Sequence, residues 1–414
     1  MKSFNVPVQY RSPLVSAIKQ KRKTEDKLKK DFAPTLLKAA GLEILLARHF
    51  GFCYGVENAI EIAFSAVAEN PGKRVFLLSE MIHNPGVNAD LLALGVNFIM
   101  DTKGKMLMDW NSLTPDDIVI IPAFGTTLEL EQLLKEKGID PARYETTCPF
   151  VEKVWNRAGK IGDEGYTIVV HGKPGHEETR ATFSHSMAHT PTVVVKDMEQ
   201  AILLAQYITG ALPPQNFTTD FEGQFSTGFD PVKYLQRIGV VNQTTMLATE
   251  TQAIAEYLKQ EMMDHYGLTA ANAQSRFADT RDTLCYATND NQSAVSGMLE
   301  ADADFALVIG GYNSSNTSHL AELCEHKLPT YFISDESCLT ANAVTHYNQH
   351  TSAIETTQGY LPPFRPLRVL VTSGASCPDA LVERVMRRLA DITGYSAALA
   401  DLTGKWTQGV SATL

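Results

Sequence analysis

No apolar run approaches the roughly 18 to 20 residues that span a bilayer; the longest candidates, Asp117–Ala123 and Phe305–Gly310, are strand-sized. Positive charge is also in the minority. There are 36 Lys and Arg against 47 Asp and Glu, a net charge of −11, so counterion release from a nucleic-acid backbone would not favour binding. Membrane and nucleic acid are therefore set aside as partners. Cysteine is scarce: six in 414 residues, spread from Cys53 to Cys377 without a C-x(2–4)-C pair. This excludes a secreted disulfide scaffold and argues against the usual structural zinc site. The thiols read as reduced. The first fifty residues hold no apolar segment that starts near Met1 and ends at a small-residue cleavage site, and Glu25, Asp26 and Asp31 interrupt the basic stretch Lys19–Lys30, which argues against a transit peptide without excluding one. The expected location is the cytoplasm, with a plastid as the alternative. In an unexported chain the N-x-S/T sequons at Asn242, Asn313 and Asn316 cannot be glycosylated and need another reading.

What is present is globular: 44% apolar and 20% charged residues, enough chain for two or three domains of roughly 150 residues. Short β-branched runs alternate with longer amphipathic ones, the pattern of parallel sheets covered by helices. Strands are expected at Arg74–Leu78, Asn97–Met100, Asp117–Ala123, Thr167–His171, Thr192–Val195, Ile238–Val241, Phe305–Ile309, Thr330–Ile333 and Leu367–Val371. Helices are expected at Val56–Glu69, Leu128–Glu136, Thr249–Tyr266, Gln292–Glu300, Thr317–Glu325 and Pro378–Thr393. The expected organisation is an appended N-terminal helical extension (1–41), three α/β domains (42–147, 148–284 and 285–392) and a C-terminal tail (393–414). The extension is helical around Leu14–Lys30 and precedes the first strand, Leu42–Ala47. The Gly-, Pro-, Thr- and Phe-rich segment 206–239 reads as an insertion, an ordinary surface loop about two times in three and otherwise a lid-like excursion.

Three cysteines stand in matched settings, one per expected domain: Cys53 in Gly51-Phe-Cys-Tyr-Gly55, Cys148 in Thr146-Thr-Cys-Pro149 and Cys285 in Asp282-Thr-Leu-Cys-Tyr-Ala-Thr288. Each is followed by a helical segment, whose exposed N–H groups and dipole favour a thiolate by roughly 0.3 to 1 kcal/mol. Singly, each is more often a small buried hydrophobe. Together they suit a cluster buried between domains, and three protein ligands on a four-iron cluster leave one iron open. Cys324, Cys338 and Cys377 default to core or surface thiols, with Cys377 the one to watch. Zinc with a histidine, and an iron-sulfur sensor or carrier, remain alternatives.

The loop His171-Gly-Lys-Pro-Gly-His176-Glu-Glu178-Thr179 sets a histidine and a carboxylate two residues apart, an anion donor and a proton source. Asn242-Gln-Thr244-Thr245, Gly310-Gly-Tyr-Asn-Ser314-Ser315-Asn316 and Thr372-Ser-Gly-Ala-Ser376 are rich in hydroxyls and amides but poor in cations. Such loops hold a phosphate through neutral donors and a helix N-terminus, without the basic P-loop motif, which is absent. Alone, each is more often a turn or an N-cap. His83, in Met81-Ile-His-Asn-Pro85, is a lone loop histidine.

In order along the chain, GFCYGV, IHNPGVN, ETTCPFVEKVWN, HGKPGHEET, NQTTM, CYAT, GGYNSSNTSHL and VTSGASCPD resemble the 4-hydroxy-3-methylbut-2-enyl diphosphate reductase family, also called IspH or LytB. The resemblance runs from about Leu42 to Leu389. It implies a trefoil of three α/β domains with mostly parallel sheets around one central 4Fe-4S cluster on Cys53, Cys148 and Cys285. It further implies Glu178, His176 and Thr244 as catalytic residues, and His83, His176, Thr244, Thr245, Ser314, Ser315, Asn316 and Ser376 around an allylic diphosphate substrate. Ferredoxin or flavodoxin would supply electrons. One departure stands out: many bacterial members carry a histidine where this chain reads Pro122-Ala-Phe124-Gly125. With the N-terminal extension, the long insertion and the VWN after Cys148, this resembles the plant and cyanobacterial branch.

Overall fold

The computed structural model describes residues 4–278, 283, 285–363 and 366–411. The chain forms two units, one of Met1–Glu57, His83–Val87 and Tyr286–Leu414, the other of Asn58–Ile82 and Asn88–Cys285.

The first unit is built on a seven-stranded sheet in the order Thr35–Ala39, Leu42–Leu46, Leu367–Ser373, Phe305–Ile309, Thr330–Ile333, Ala343–Asn348, Ala353–Gln358. Its middle is parallel: Leu367–Ser373 runs parallel to both Leu42–Leu46 and Phe305–Ile309, which in turn runs parallel to Thr330–Ile333. Central parallel strands are covered on both faces and need continuous apolar runs. Phe305-Ala-Leu-Val-Ile309, buried at every position, meets that need. The edges are antiparallel. The hairpin Ala343–Asn348/Ala353–Gln358 was not expected, because its strands, the first mostly half-buried and the second mostly exposed, are rich in polar residues and lack an apolar run.

The N-terminal residues require a correction. The helix spans Pro13–Glu25, capped by Ser12, whose Oγ accepts the Val15 N–H at 2.9 Å, with Pro13 in the first turn. Beyond it Thr35–Ala39 is itself a strand, paired antiparallel with Leu42–Leu46 across a tight turn at Ala40-Gly41. Leu14, Val15 and Ile18 are buried in the same core as Leu42, Ile44 and Val369. The segment is part of this core and is not an appendage. Burial of such side chains contributes about 1.5–3 kcal/mol each, which a solvated extension would forgo.

The second unit carries two three-stranded, fully parallel sheets. Val75–Leu77 lies between Asn97–Phe98 and Ile118–Ile120; Thr167–His171 lies between Thr192–Val195 and Ile238–Asn242. The fold class is therefore α/β with mostly parallel sheets, as expected. Segment 206–239 is neither a simple loop nor a lid. It winds through short helices at Phe217–Asp220 and Pro231–Tyr234, and Phe217 and Phe221 are fully buried in the core of the second of these sheets. Phe217 stacks on Phe221 and Phe229 at 4.9 and 5.1 Å between centroids. Its glycines and prolines mark turns between aromatic anchors, and the anchors decide where the segment goes. Among the described residues no helix is long and apolar enough to cross a membrane.

Candidate active site

Each of the three singled-out cysteines directly precedes a helix. Gly51, at φ +78°, turns the chain out of strand Leu42–Leu46 where an added Cβ would stand 2.3 Å from Asp379 Oδ1, so only glycine fits. Gly51 N–H then donates to Ser373 Oγ at 3.1 Å and Cys53 N–H to the Ala375 carbonyl at 3.2 Å. The Cys53 carbonyl accepts the Glu57 N–H at 3.0 Å, closing the first turn of helix Tyr54–Glu69. Cys148 is the N-cap of helix Pro149–Asp163, its thiol not used as a cap; its own N–H donates to the Ala123 carbonyl at 3.0 Å. Cys285 immediately precedes helix Tyr286–Met298, which starts six residues before the expected Gln292. Of the segment Asp282–Thr288, Asp282 and Leu284 lie outside the described residues. Cys324 and Cys377 contrast with these three: both are fully buried, and burial pushes their thiols up to about 12. They are core thiols. Cys53 falls in the first unit and Cys148 and Cys285 in the second, and among the described residues no three His, Cys, Asp or Glu side chains gather into a metal cage.

The first unit brings His83, Ser314, Ser315, Asn316 and Ser376 together with the Cys53 loop. Ser314, at the end of the loop after strand Phe305–Ile309, is the N-cap of helix Ser315–Glu325. Ser376 Oγ donates to the His83 carbonyl at 3.1 Å and lies 3.5 Å from Ser314 Oγ. Ala375, which accepts from Cys53, also donates its N–H to Asn316 Oδ1 at 2.8 Å. Asn291 Nδ2 reaches the same oxygen at 3.5 Å. With Oδ1 thus occupied, the orientation of the Asn316 amide is fixed. The Asn316 Nδ2 and the Ser315 Oγ are buried without a hydrogen-bond partner. An unsatisfied buried donor costs about 1–3 kcal/mol, and two of them at a helix N-terminus form a deficit that an anion would remove.

The second unit builds a different half. His176 is the N-cap of helix Glu177–Met187, and its Nδ1 accepts the Glu178 N–H at 3.2 Å. That bond requires an unprotonated Nδ1, so in the neutral ring Nε2 carries the proton. Glu178 is 1% exposed, and its Oε1 accepts the Thr244 N–H. Gln243, wholly buried, organises the surroundings. Its Oε1 accepts Thr179 Oγ1 at 2.9 Å and Lys173 N at 3.1 Å, while its Nε2 donates to Thr245 Oγ1 at 2.6 Å. One residue earlier, Asn242 Oδ1 accepts Thr283 Oγ1 at 2.7 Å, tying the stretch before Cys285 to the same strand end. Phe124 meets the His176 ring edge-on at 5.6 Å. Its loop is fixed by Gly125, at φ +74°, where a Cβ would lie 2.4 Å from the Trp155 ring. Trp155 stacks on His185 at 3.7 Å, and burial lowers the His185 pKa.

A family model described as LytB protein matches residues 44–390. A 4-hydroxy-3-methylbut-2-enyl diphosphate reductase of a Synechococcus strain is 40% identical over 358 residues, 86% of this chain and 87% of that relative. The chain belongs to the LytB family. A reductase of the same name from Gloeobacter violaceus is 36% identical over 388 residues, covering 90% of this chain and 91% of its own, so this LytB chain has relatives among cyanobacteria. Two solved structures share its fold. One is titled (E)-4-hydroxy-3-methyl-but-2-enyl diphosphate reductase, the terminal enzyme of the non-mevalonate pathway, with TM-score 0.50 and 24% identity over 84% of this chain and 99% of that one. The other is the E-1-hydroxy-2-methyl-but-2-enyl-4-diphosphate reductase of Plasmodium falciparum, with TM-score 0.60 and 19% identity over 84% and 88%.

Sequence reasoning about this LytB chain missed Gln243, Asn291 and Thr283. Gln243 stood inside a quoted loop, but a lone amide announces no role. Asn291 lies in a helix whose start was placed too late. Only the fold shows that each holds a neighbour in place.

Proposed function

We propose that the chain reduces 4-hydroxy-3-methylbut-2-enyl diphosphate to isopentenyl and dimethylallyl diphosphates, the last step of the methylerythritol phosphate route. The substrate takes up two electrons and two protons and loses its hydroxyl as water. The observation that carries the reading is the pair of buried, unpartnered donors Ser315 Oγ and Asn316 Nδ2 beside Ser314 and Ser376, a neutral anion cradle in a chain whose relatives are diphosphate reductases.

Cys53, Cys148 and Cys285 would hold one 4Fe-4S cluster per chain. The donor set fits: three thiols outside disulfides, each at the start of a helix where thiolate is favoured, with no fourth cysteine in a comparable setting. When bound, the cluster passes electrons singly and offers a Lewis-acid position to the substrate hydroxyl. Ser314, Ser315, Asn316 and Ser376, with His83, hold the diphosphate; His176 donates to it from Nε2. Glu178, whose Oε1 is taken by the Thr244 N–H, holds the departing water's proton on Oε2. Thr244 and Thr245 orient the hydroxyl end. The electron donor is a ferredoxin or flavodoxin, and the compartment is the cytoplasm.

An anaerobic assay of the iron-reconstituted chain with the hydroxylated allylic diphosphate and reduced viologen tests the reading. Both isopentenyl products should form with dye oxidation. A brown protein that oxidises no dye on adding substrate would reduce it to an electron carrier, and a colourless, zinc-loaded one would be a scaffold.

A further inference from the structure

The N-terminal residues grip the loop that carries Cys53. Phe4 and Tyr10 are buried, at 7% and 6% exposure. Phe4 meets Tyr54 edge-on at 4.8 Å, and Tyr10 meets Phe52 edge-on at 5.9 Å. The two residues flanking Cys53 are thus each covered by one ring from the chain's start. A third contact lies one turn of the loop earlier: Lys19 Nζ stands 4.6 Å over the Phe50 ring and pairs with Asp379 Oδ1 at 2.7 Å, on the side where Gly51 has no Cβ. The grip is itself anchored. Arg11 Nη2 donates to the Phe4 carbonyl at 3.1 Å, and the Ser12 hydroxyl donates to the Glu383 carboxylate. Cys53 remains partly exposed, so what surrounds it decides which reagents reach it.

We propose that Phe4 and Tyr10 are positioning residues that clamp Phe52 and Tyr54, fixing the Cys53 loop and restricting solvent access to its thiol. Edge-on aromatic pairs contribute beyond their buried area, and two of them, one on each side of a single residue, restrain a loop whose backbone is also held at Gly51 and Cys53. The clamp rests on the proposed function only for its purpose, protection of a cluster ligand; the contacts and the thiol reactivity stand without it.

The test is residue-resolved alkylation of the metal-free full-length chain with iodoacetamide, read by peptide mass spectrometry. Phe4→Ala and Tyr10→Ala should each raise the Cys53 rate at least threefold while the Cys148 and Cys285 rates stay within error. Tyr10→Phe, which keeps the ring, should restore the parent rate. In the reconstituted chain the alanine variants should lose visible absorbance in air correspondingly faster at equal starting iron. An unchanged Cys53 rate in a variant with parent circular dichroism overturns the clamp, as does an equal rise at all three cysteines, which would signal general loosening; Phe4→Leu keeps the question answerable should the alanine variants not fold. Cys53→Ser separates the two ideas. If that variant binds full iron, the ligand assignment falls while the alkylation ratios still decide the clamp.

Discussion

The two units present unlike side chains on the same device, a loop at the end of a parallel strand running into a helix. In the first unit Ser376 lies among hydroxyls, amides and the His83 carbonyl, and two donors fix the Asn316 oxygen. In the second the group is ionisable: His176 with an assigned tautomer and Glu178 at 1% exposure, braced by Gln243. A diphosphate held by neutral donors keeps its charge and its reach along the helix dipole. A proton donor needs the reverse, a group whose charge changes at a chosen moment. The strand ends after Phe305–Ile309 and Thr167–His171 are alike in backbone and unlike in the side chains they carry, so any difference in role must come from the side chains and not from the fold.

If this division holds, the largest effect comes from the cysteines both units need. Cys148→Ser or Cys285→Ser should abolish turnover and iron content together, read by iron analysis and visible absorption under argon. Retained colour with parent activity in either variant removes that residue from the ligand set. Next in size is Glu178→Gln, which keeps the shape and the Thr244 N–H bond but cannot deliver a proton. Its kcat should fall by about 10²–10⁴-fold at unchanged iron and with a small change in KM. Near-normal kcat would move proton delivery elsewhere.

The sequence made the parallel core legible because its strands are short apolar runs whose burial fixes them: Thr167–His171, Thr192–Val195, Phe305–Ile309 and Thr330–Ile333 lie at the expected residues. It hid elements whose stability comes from partners rather than pattern. Strand Thr35–Ala39 alternates buried and exposed residues and is defined by pairing with its neighbour, which no local window reveals. The aromatic segment 206–239 looked like a loop because Gly and Pro are turn signals, whereas the four buried or half-buried phenylalanines Phe217, Phe221, Phe225 and Phe229 bind it to a core made elsewhere in the chain. Within the candidate site, residue types able to carry chemistry by themselves, such as Glu178 and the three cysteines, stand out in a sequence, whereas Gln243 and Asn291, which hold a neighbour in place, do not.

A smaller effect should isolate the neutral cradle. Asn316→Ala removes one donor to a charged ligand, worth about 1.5–3 kcal/mol, so KM should rise about 10- to 150-fold with kcat and iron little changed. Asn291→Leu should produce a weaker rise of the same kind, because it frees the Asn316 amide to rotate rather than removing it. A fall in kcat with constant KM would place Asn316 with the proton-handling half and erase the distinction between the units.

Phe124→His tests the second unit at the neighbour of His176. The aromatic edge on His176 is worth about 0.5–1.5 kcal/mol, and an imidazole there brings a second potential donor to a ligand. KM should shift by about two- to tenfold while iron content stays constant. An unchanged KM would mean that this position lies away from the diphosphate.

The smallest expected effect concerns acid, which should reach the two units by different routes. In the first, His49 follows strand Leu42–Leu46, and burial, opposed by Asp290 and reinforced by Arg48, Lys29 and Lys19, lowers its pKa from 6.5 to about 4. The folded state therefore holds His49 neutral while the unfolded chain binds a proton below 6.5. Its contribution to stability is fully present above that pH and drains away as pH falls toward 4. The ring is only partly buried, so after solvent screening the loss is on the order of 1 kcal/mol. His49→Phe should accordingly flatten the fall of Tm across this window while leaving the pH dependence of kcat, which the proposed mechanism assigns to the other unit, where it was. A parallel shift of both profiles would show that the two units do not divide charge and proton handling as their side chains suggest.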